Sequence, residues 1–180
     1  MSRLAETFER LRSARRVGIF PYLTAGFPDA TSSGELLDAM VAAGADGLEI
    51  GIPFSDPMAD GLTLQRANEQ ALRAGASTDT ALELARRVSP QRPVVFMSYY
   101  NPLLAFGEHE FCLAAAEAGA DGVIVPDLPP EESNGLRAAC ASSGIDYIFM
   151  LGPTSTPERI QLTTSLARGF IYCVALVGVT

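Results

Sequence analysis

Apolar residues recur along this chain with two periods, and the switching between them outlines the architecture. Leu4, Phe8 and Leu11 fall at i, i+4 and i+7, one face of an opening amphipathic helix. The run VGIFPYL (17–23) then reads as a strand and residues 24–29 as a loop. Residues 31–43 form a second helix with Leu36, Leu37, Met40 and Val41 as its apolar stripe, ended at Gly44, where positive φ is accessible. GLEIG (47–51) is the second strand, and two helices follow, 62–74 and 78–88, broken at Gly75. Pro93 introduces VVFMS (94–98), which runs into Tyr99, Tyr100, Asn101 and Pro102. Helix 109–118, strand GVIVPD (122–127), helix 131–142, strand YIFML (147–151), helix 157–167 and strand FIYCVAL (170–176) continue the alternation.

The alternation is also a repeat. AGADGLEIGIP (43–53) is echoed by AGADGVIVPDLP (118–129), and the helix-ending glycines Gly119, Gly144 and Gly169 are evenly spaced. Helix, glycine turn, apolar strand and polar loop in regular succession predict parallel βα units. No GxGxxG follows the first strand, so the pattern fits a closed TIM (β/α)₈ barrel better than an open dinucleotide-binding sheet. The chain then covers the N-terminal helix, strands one to six and helices one to five of a single barrel domain, 1–180. Unit two is longer than its neighbours, about 45 residues from Gly47 to Arg92, and its surplus lies after the strand, on the face where such barrels keep their active sites.

That strand carries one carboxylate. Side chains alternate faces along a strand, so Leu48 and Ile50 point one way and Glu49 the other, into a barrel interior. An interior carboxylate is costly without partners or a task. Pro53, Ser55, Asp56, Pro57 and Asp60 follow within ten residues, so a strand and the loop behind it supply paired carboxylates for general acid/base chemistry. From spacing alone, Asp60 reads equally well as a helix N-cap or a functional carboxylate. Asp56 after Ser55 would ordinarily be a turn residue, Met97 and Tyr99 would ordinarily be core, and PPEES (129–133) is equally a helix start.

Composition narrows the function classes. A chain of 180 residues, 48% hydrophobic, can bury a substantial core, and a formal charge of −8 argues against a nucleic-acid binder. Cys112, Cys140 and Cys173 are far apart in sequence, with no CxxC spacing, and read as reduced packing residues. His109, the only histidine, sits in the charged segment GEHEF, which leaves no Ser-His-Asp triad, and no residues show metal-ligand spacing. The charged N-terminus lacks the apolar core of a signal peptide, and no apolar run reaches the length of a membrane span. The expectation is a soluble, cytoplasmic protein.

The segment GLEIGIPFSDPMADG (47–61) resembles the most recognisable stretch of the tryptophan synthase alpha chain family. PYLTAGFPD, QRANEQAL, MSYYNP, VPDLPPEES, PTSTPERI and the final GVT match the same family in order, across the whole chain. The resemblance implies a TIM barrel that cleaves indole-3-glycerol phosphate to indole and glyceraldehyde 3-phosphate by a retro-aldol reaction. It implies Glu49 as general acid/base, Asp60 as acceptor for the indole N–H, Tyr172 as the active-site tyrosine near Glu49, and Thr180 as the loop threonine closing onto Asp60. Tyr22, Met97, Tyr99 and Asp127, at strand ends, would line the indole pocket or its hydrogen-bond shell. It further implies no cofactor in this chain and a pyridoxal-phosphate beta subunit as partner in an α₂β₂ tetramer. Pro53, Phe54, Asp56, Asn101 and Pro129 would lie at that interface. Leu62, Gly152 and Ala175 depart from the family pattern, which has proline, alanine and serine there.

Six strands are counted before Thr180, and in TIM barrels the loops after strands seven and eight commonly build the phosphate site. Three readings compete: coverage that stops at a mobile loop, a deliberate fragment, or a natural truncation. The first is preferred, because the stop falls in the loop expected to close over substrate. A catalytically incomplete alpha-like chain that activates its beta partner is the alternative function. A related sugar-phosphate epimerase would need a metal set or paired aspartates.

Overall fold

A computed structural model describes residues 2–175. Six parallel strands, β1 (Tyr22–Thr24), β2 (Leu48–Gly51), β3 (Val94–Met97), β4 (Gly122–Ile124), β5 (Asp146–Leu151) and β6 (Ile171–Cys173), pair in sequence order. The helices are α1 (Arg3–Ser13), α2 (Ala30–Ala42), α3 (Leu62–Arg73), α4 (Thr78–Val88), α5 (Tyr100–Phe106), α6 (Glu108–Glu117), α7 (Asn134–Ser143) and α8 (Pro157–Leu166). Parallel neighbours in sequential order, each reached through at least one helix, are (β/α) barrel topology.

The strand register divides the apolar residues into two layers. Tyr22, Glu49, Val95, Gly122 and Asp146 are successive partners across the sheet, and Met150 pairs with Tyr172. This set faces inward: Val95, Ile124 and Ile148 pack with Leu4 of α1, and Met97, Met150 and Tyr172 adjoin them. The opposite parity, with Leu48, Ile50, Val94, Phe96, Val123 and Phe149, lies between sheet and helices in the larger cluster. Helix α1 therefore inserts Leu4, fully buried, into the interior, an anchor of about 2 kcal/mol. Its Phe8 packs between Phe20, just before β1, and Phe170, just before β6, with ring centroids 5.5 and 5.1 Å away. The two outermost strands of the described sheet are thus brought together at the same end.

At that end the repeated aspartates have a structural task. Asp46 accepts the Ile19 N–H at 3.0 Å and pairs with Arg16; Asp121 accepts the Val94 N–H at 2.9 Å and pairs with Arg3 at 3.2 Å. Each AGADG aspartate ties its own strand's start to the backbone entering the preceding strand.

Several expected elements differ. The first strand is confined to Tyr22–Thr24, and Val17 and Ile19 are 86% and 65% exposed. Pro21 has no N–H, and the Ile19 N–H goes to the Asp46 side chain, so regular pairing starts only after the proline. The sixth strand is likewise confined to three residues. Helix α5 occupies a segment for which no element was expected: Pro102 is its third residue, in the first turn, where a missing N–H loses no bond. Leu36 is exposed, and Ser33 and Gly34 join Leu37 and Val41 on the buried face of α2. Helix α7 starts at Asn134, since residues 129–132 form a turn. Cys112 and Cys140, distant in sequence, are both buried with their thiols 3.4 Å apart between α6 and α7.

Candidate active site

Strand β2 presents a single side chain to the interior. Glu49 has the inward parity, and the inward positions on either side of it are Gly47 and Gly51. A Cβ at Gly51 would overlap the Tyr22 hydroxyl, and one at Gly47 would overlap the ring of Phe20. Two aromatic rings from the β1 side therefore occupy the space that β2 vacates, and the carboxylate stands between them. Glu49 is 9% exposed. Burial pushes its pKa up to about 7, and among the described residues no cation or hydrogen bond opposes that rise.

The second carboxylate arrives on the β2–α3 loop. The N-cap of α3 is Gly61, not Asp60, so the Asp60 side chain is not spent on capping. It accepts from Asn68 Nδ2 at 3.2 Å, while Gln65 Nε2 holds the Asp60 carbonyl at 2.9 Å. Burial raises the Asp60 pKa; hydrogen bonding from Tyr99 and Asn68 works against it. The Tyr99 hydroxyl also accepts the Ala59 N–H at 2.8 Å, fixing the loop from behind, and its ring packs on Phe54 with centroids 5.4 Å apart.

Both carboxylates line one cavity of about 830 Å³ on the inner side of the sheet. Its apolar wall includes Met97, Met150 and Phe170. Tyr22 sits among the charges: burial first, then the Asp60 and Glu49 carboxylates, push its hydroxyl up to about 12, although Thr24 at 3.2 Å opposes the shift. Tyr172 is raised by burial and by Glu49. A flat apolar ligand can therefore be enclosed between two carboxylates and two neutral phenols. A carboxyl with pKa about 7 can both give and take a proton at neutral pH. Among the described residues no three His, Cys, Asp or Glu side chains group to hold a metal ion.

The family model for the tryptophan synthase alpha chain matches residues 8–180. Curated alpha chains of Roseiflexus sp. and Chloroflexus aurantiacus are 51% and 52% identical over the whole of this chain, which covers 70% and 69% of their lengths. The solved tryptophan synthase of Mycobacterium tuberculosis superposes with a TM-score of 0.96 at 39% identity, over 99% of this chain and 70% of that one. The Legionella pneumophila alpha subunit gives 0.92 at 40% identity, over 97% and 68%. The chain belongs to the tryptophan synthase alpha chain family.

Of the residues that the alpha-chain family resemblance singles out, Glu49, Asp60, Tyr22, Met97 and Tyr172 line the common cavity. Tyr99 stands behind the Asp60 loop rather than in the cavity wall, and Asp127 is exposed, accepting the Tyr100 N–H at 2.9 Å at the start of α5. Thr180 lies outside the described residues. At the expected interface, Asp56, Asn101 and Pro129 are exposed and Phe54 half-buried. Pro53 is buried and offers almost no surface to a partner, because it continues directly from β2 under the loop.

Leu62, where the alpha-chain pattern has proline, is the first residue of α3. Proline suits that position for its preset φ, and leucine, 64% exposed, satisfies the helix there equally well. Ala175 lines the cavity and Gly152 is exposed in a turn. Sequence reasoning missed Asn68, 3% exposed on the inner face of α3, and the wall residues Met150 and Phe170. A buried-face asparagine between Ala67 and Ala71 was the available signal for the first.

Proposed function

We propose that Glu49 and Asp60 carry out the retro-aldol cleavage of indole-3-glycerol phosphate to indole and glyceraldehyde 3-phosphate. Membership of the alpha-chain family supplies the lyase activity; the placement of the two carboxylates supports their roles. The observation that carries the reading is the inward Glu49, with no partner among the described residues and a pKa pushed up to about 7, on the same cavity as Asp60. Glu49 delivers a proton to indole C3 and takes one from the glycerol hydroxyl as the carbon–carbon bond breaks and its electron pair returns to the ring. Asp60 accepts the indole N–H and opposes the positive charge that develops on the ring nitrogen. Met97, Met150 and Phe170 exclude water from the ring, and the Tyr22 and Tyr172 hydroxyls stay protonated beside the carboxylates.

The reaction needs no cofactor in this chain. Its partner is a tryptophan synthase beta subunit, which carries the pyridoxal phosphate, in a cytoplasmic α₂β₂ assembly. Phe54, Asp56, Asn101 and Pro129 lie beyond strand C-termini, and Met58, 87% exposed on the loop of Phe54 and Asp56, adds apolar surface for docking. A proline-rich loop held by Tyr99 loses little entropy on binding. The deciding assay follows indole release from indole-3-glycerol phosphate by the full-length chain, alone and with its beta chain. Turnover that rises on mixing is expected; a chain that releases no indole in either state refutes the reading.

A further inference from the structure

We infer that Asn68 is the positioning residue of this site, holding the Asp60 carboxylate at the cavity and clamping both ends of the β2–α3 loop to α3. The inference rests on the role proposed above for Asp60. The side-chain amide has two N–H donors and one carbonyl, and all three are used. Nδ2 donates to the Leu64 carbonyl of its own helix at 2.9 Å and to Asp60 Oδ2 at 3.2 Å. Oδ1 accepts the Phe54 N–H at 3.2 Å. These partners fix the amide's orientation, because a flip would set its oxygen against the carboxylate and the Leu64 carbonyl. The bond back to Leu64 sets the side chain's direction along the helix, so the second N–H has one place to point.

Asparagine is what this position demands. Aspartate would keep the acceptor for Phe54 but set a second carboxylate against Asp60, and alanine would leave the half-buried Phe54 N–H and Asp60 oxygen without this partner. Gln65 offers a useful contrast, since it also ties the loop to α3 but binds the Asp60 carbonyl rather than its carboxylate. Gln65 thus only anchors the loop, whereas Asn68 both anchors it and binds the carboxylate.

Asp60 must be ionised to oppose a cation, and a donor to its ionised form lowers its pKa. The titratable groups around it are Tyr99 from the start of α5, Tyr22 from β1, and Glu49 across Tyr22 on β2. Burial pushes both tyrosine hydroxyls up to about 12, so of these groups only Asp60 and Glu49 change charge between acid and neutral pH.

The test uses the full-length chain with its beta partner, ¹³C NMR titration of the Asp60 carboxyl, and kcat and KM for indole-3-glycerol phosphate. Asn68→Ala should lower kcat by about 10- to 100-fold, the range of one hydrogen bond to a charged group, with KM changed much less. The Asp60 titration should move to higher pH, and further still in Asn68→Asp. Gln65→Ala should leave that titration in place. If both Asn68 variants fail to fold, the wild type still decides: the Asn68 side-chain amide resonances should follow the Asp60 titration and lose that response in Asp60→Asn. Unchanged kcat and Asp60 titration in Asn68→Ala, or wild-type Asn68 resonances blind to Asp60, would overturn the inference. An Asp60→Asn variant with normal turnover would instead remove the reading on which it stands.

Discussion

The hydroxyl of Tyr22 occupies the place where a side chain on Gly51 would be. The two residues lie on adjacent parallel strands, β1 and β2, with Gly51 two residues beyond Glu49, the register partner of Tyr22. The ring thus leans along the sheet over a glycine, and its hydroxyl is carried to the level where the loop brings Asp60. Gly51→Ala should therefore expel Tyr22 from its seat. Overpacking a buried position of this kind costs about 1–3 kcal/mol, and turnover should fall as well, because the displaced ring enters the cavity. Thermal melting and indole release together test this; a variant with unchanged values for both would mean that Tyr22 has room the structure does not show.

Glu49→Gln separates catalysis from stability. General acid/base groups contribute about 10²–10⁴-fold, so turnover should fall by at least the lower figure with affinity for a substrate analogue nearly intact. Stability should move the other way. The Glu49 pKa rises from 4.5 to about 7 on folding, so the folded state binds the proton more tightly than the unfolded one. Below about 4.5 both states are protonated and the variant gains nothing. As pH rises through 7, wild type must ionise a buried carboxyl at a cost on the order of 3 kcal/mol that glutamine avoids. Melting curves at pH 4 and pH 8 should show the variant's advantage only at the higher pH; a variant less stable than wild type at pH 8 would identify Glu49 as structural.

Asp60→Asn should also lower turnover severely, through loss of a charge rather than loss of a proton carrier. Both carboxylates act on one transition state, so the Glu49→Gln, Asp60→Asn pair should lose less than the product of the single effects. Steady-state rates for the four proteins measure the coupling, and strict multiplicativity would place the two groups on separate steps.

The repeated aspartates should behave in the opposite manner. Asp46→Ala and Asp121→Ala each strand a backbone N–H, of Ile19 and Val94 respectively, at the end of the barrel away from the carboxylate loop. Losses of about 1–3 kcal/mol are expected from urea unfolding, with kcat close to wild type. A large fall in kcat without a change in stability would contradict the division of the two ends.

Parity along β2 was enough to aim Glu49 inward, since the period of a strand is a property of its own backbone. The helix–glycine–strand repeat likewise announced the parallel units, and the surplus in unit two marked the loop that carries Asp60. These are local regularities, written in residues close together in the chain. What the inward carboxylate meets is a different kind of fact. That Gly47 and Gly51 clear space for Phe20 and Tyr22, that Asn68 rather than the helix start takes up Asp60, and that Tyr99 braces the loop from behind all depend on which side chains arrive from other elements. Periodicity says which face of an element is buried; it says nothing about what fills the space opposite. The same reason let Pro53 vanish beneath its loop and brought Cys112 against Cys140 across 28 residues. The carboxylates were thus legible in sequence, whereas their surroundings, which set their pKa values and hold them in place, came only from packing between elements distant along the chain.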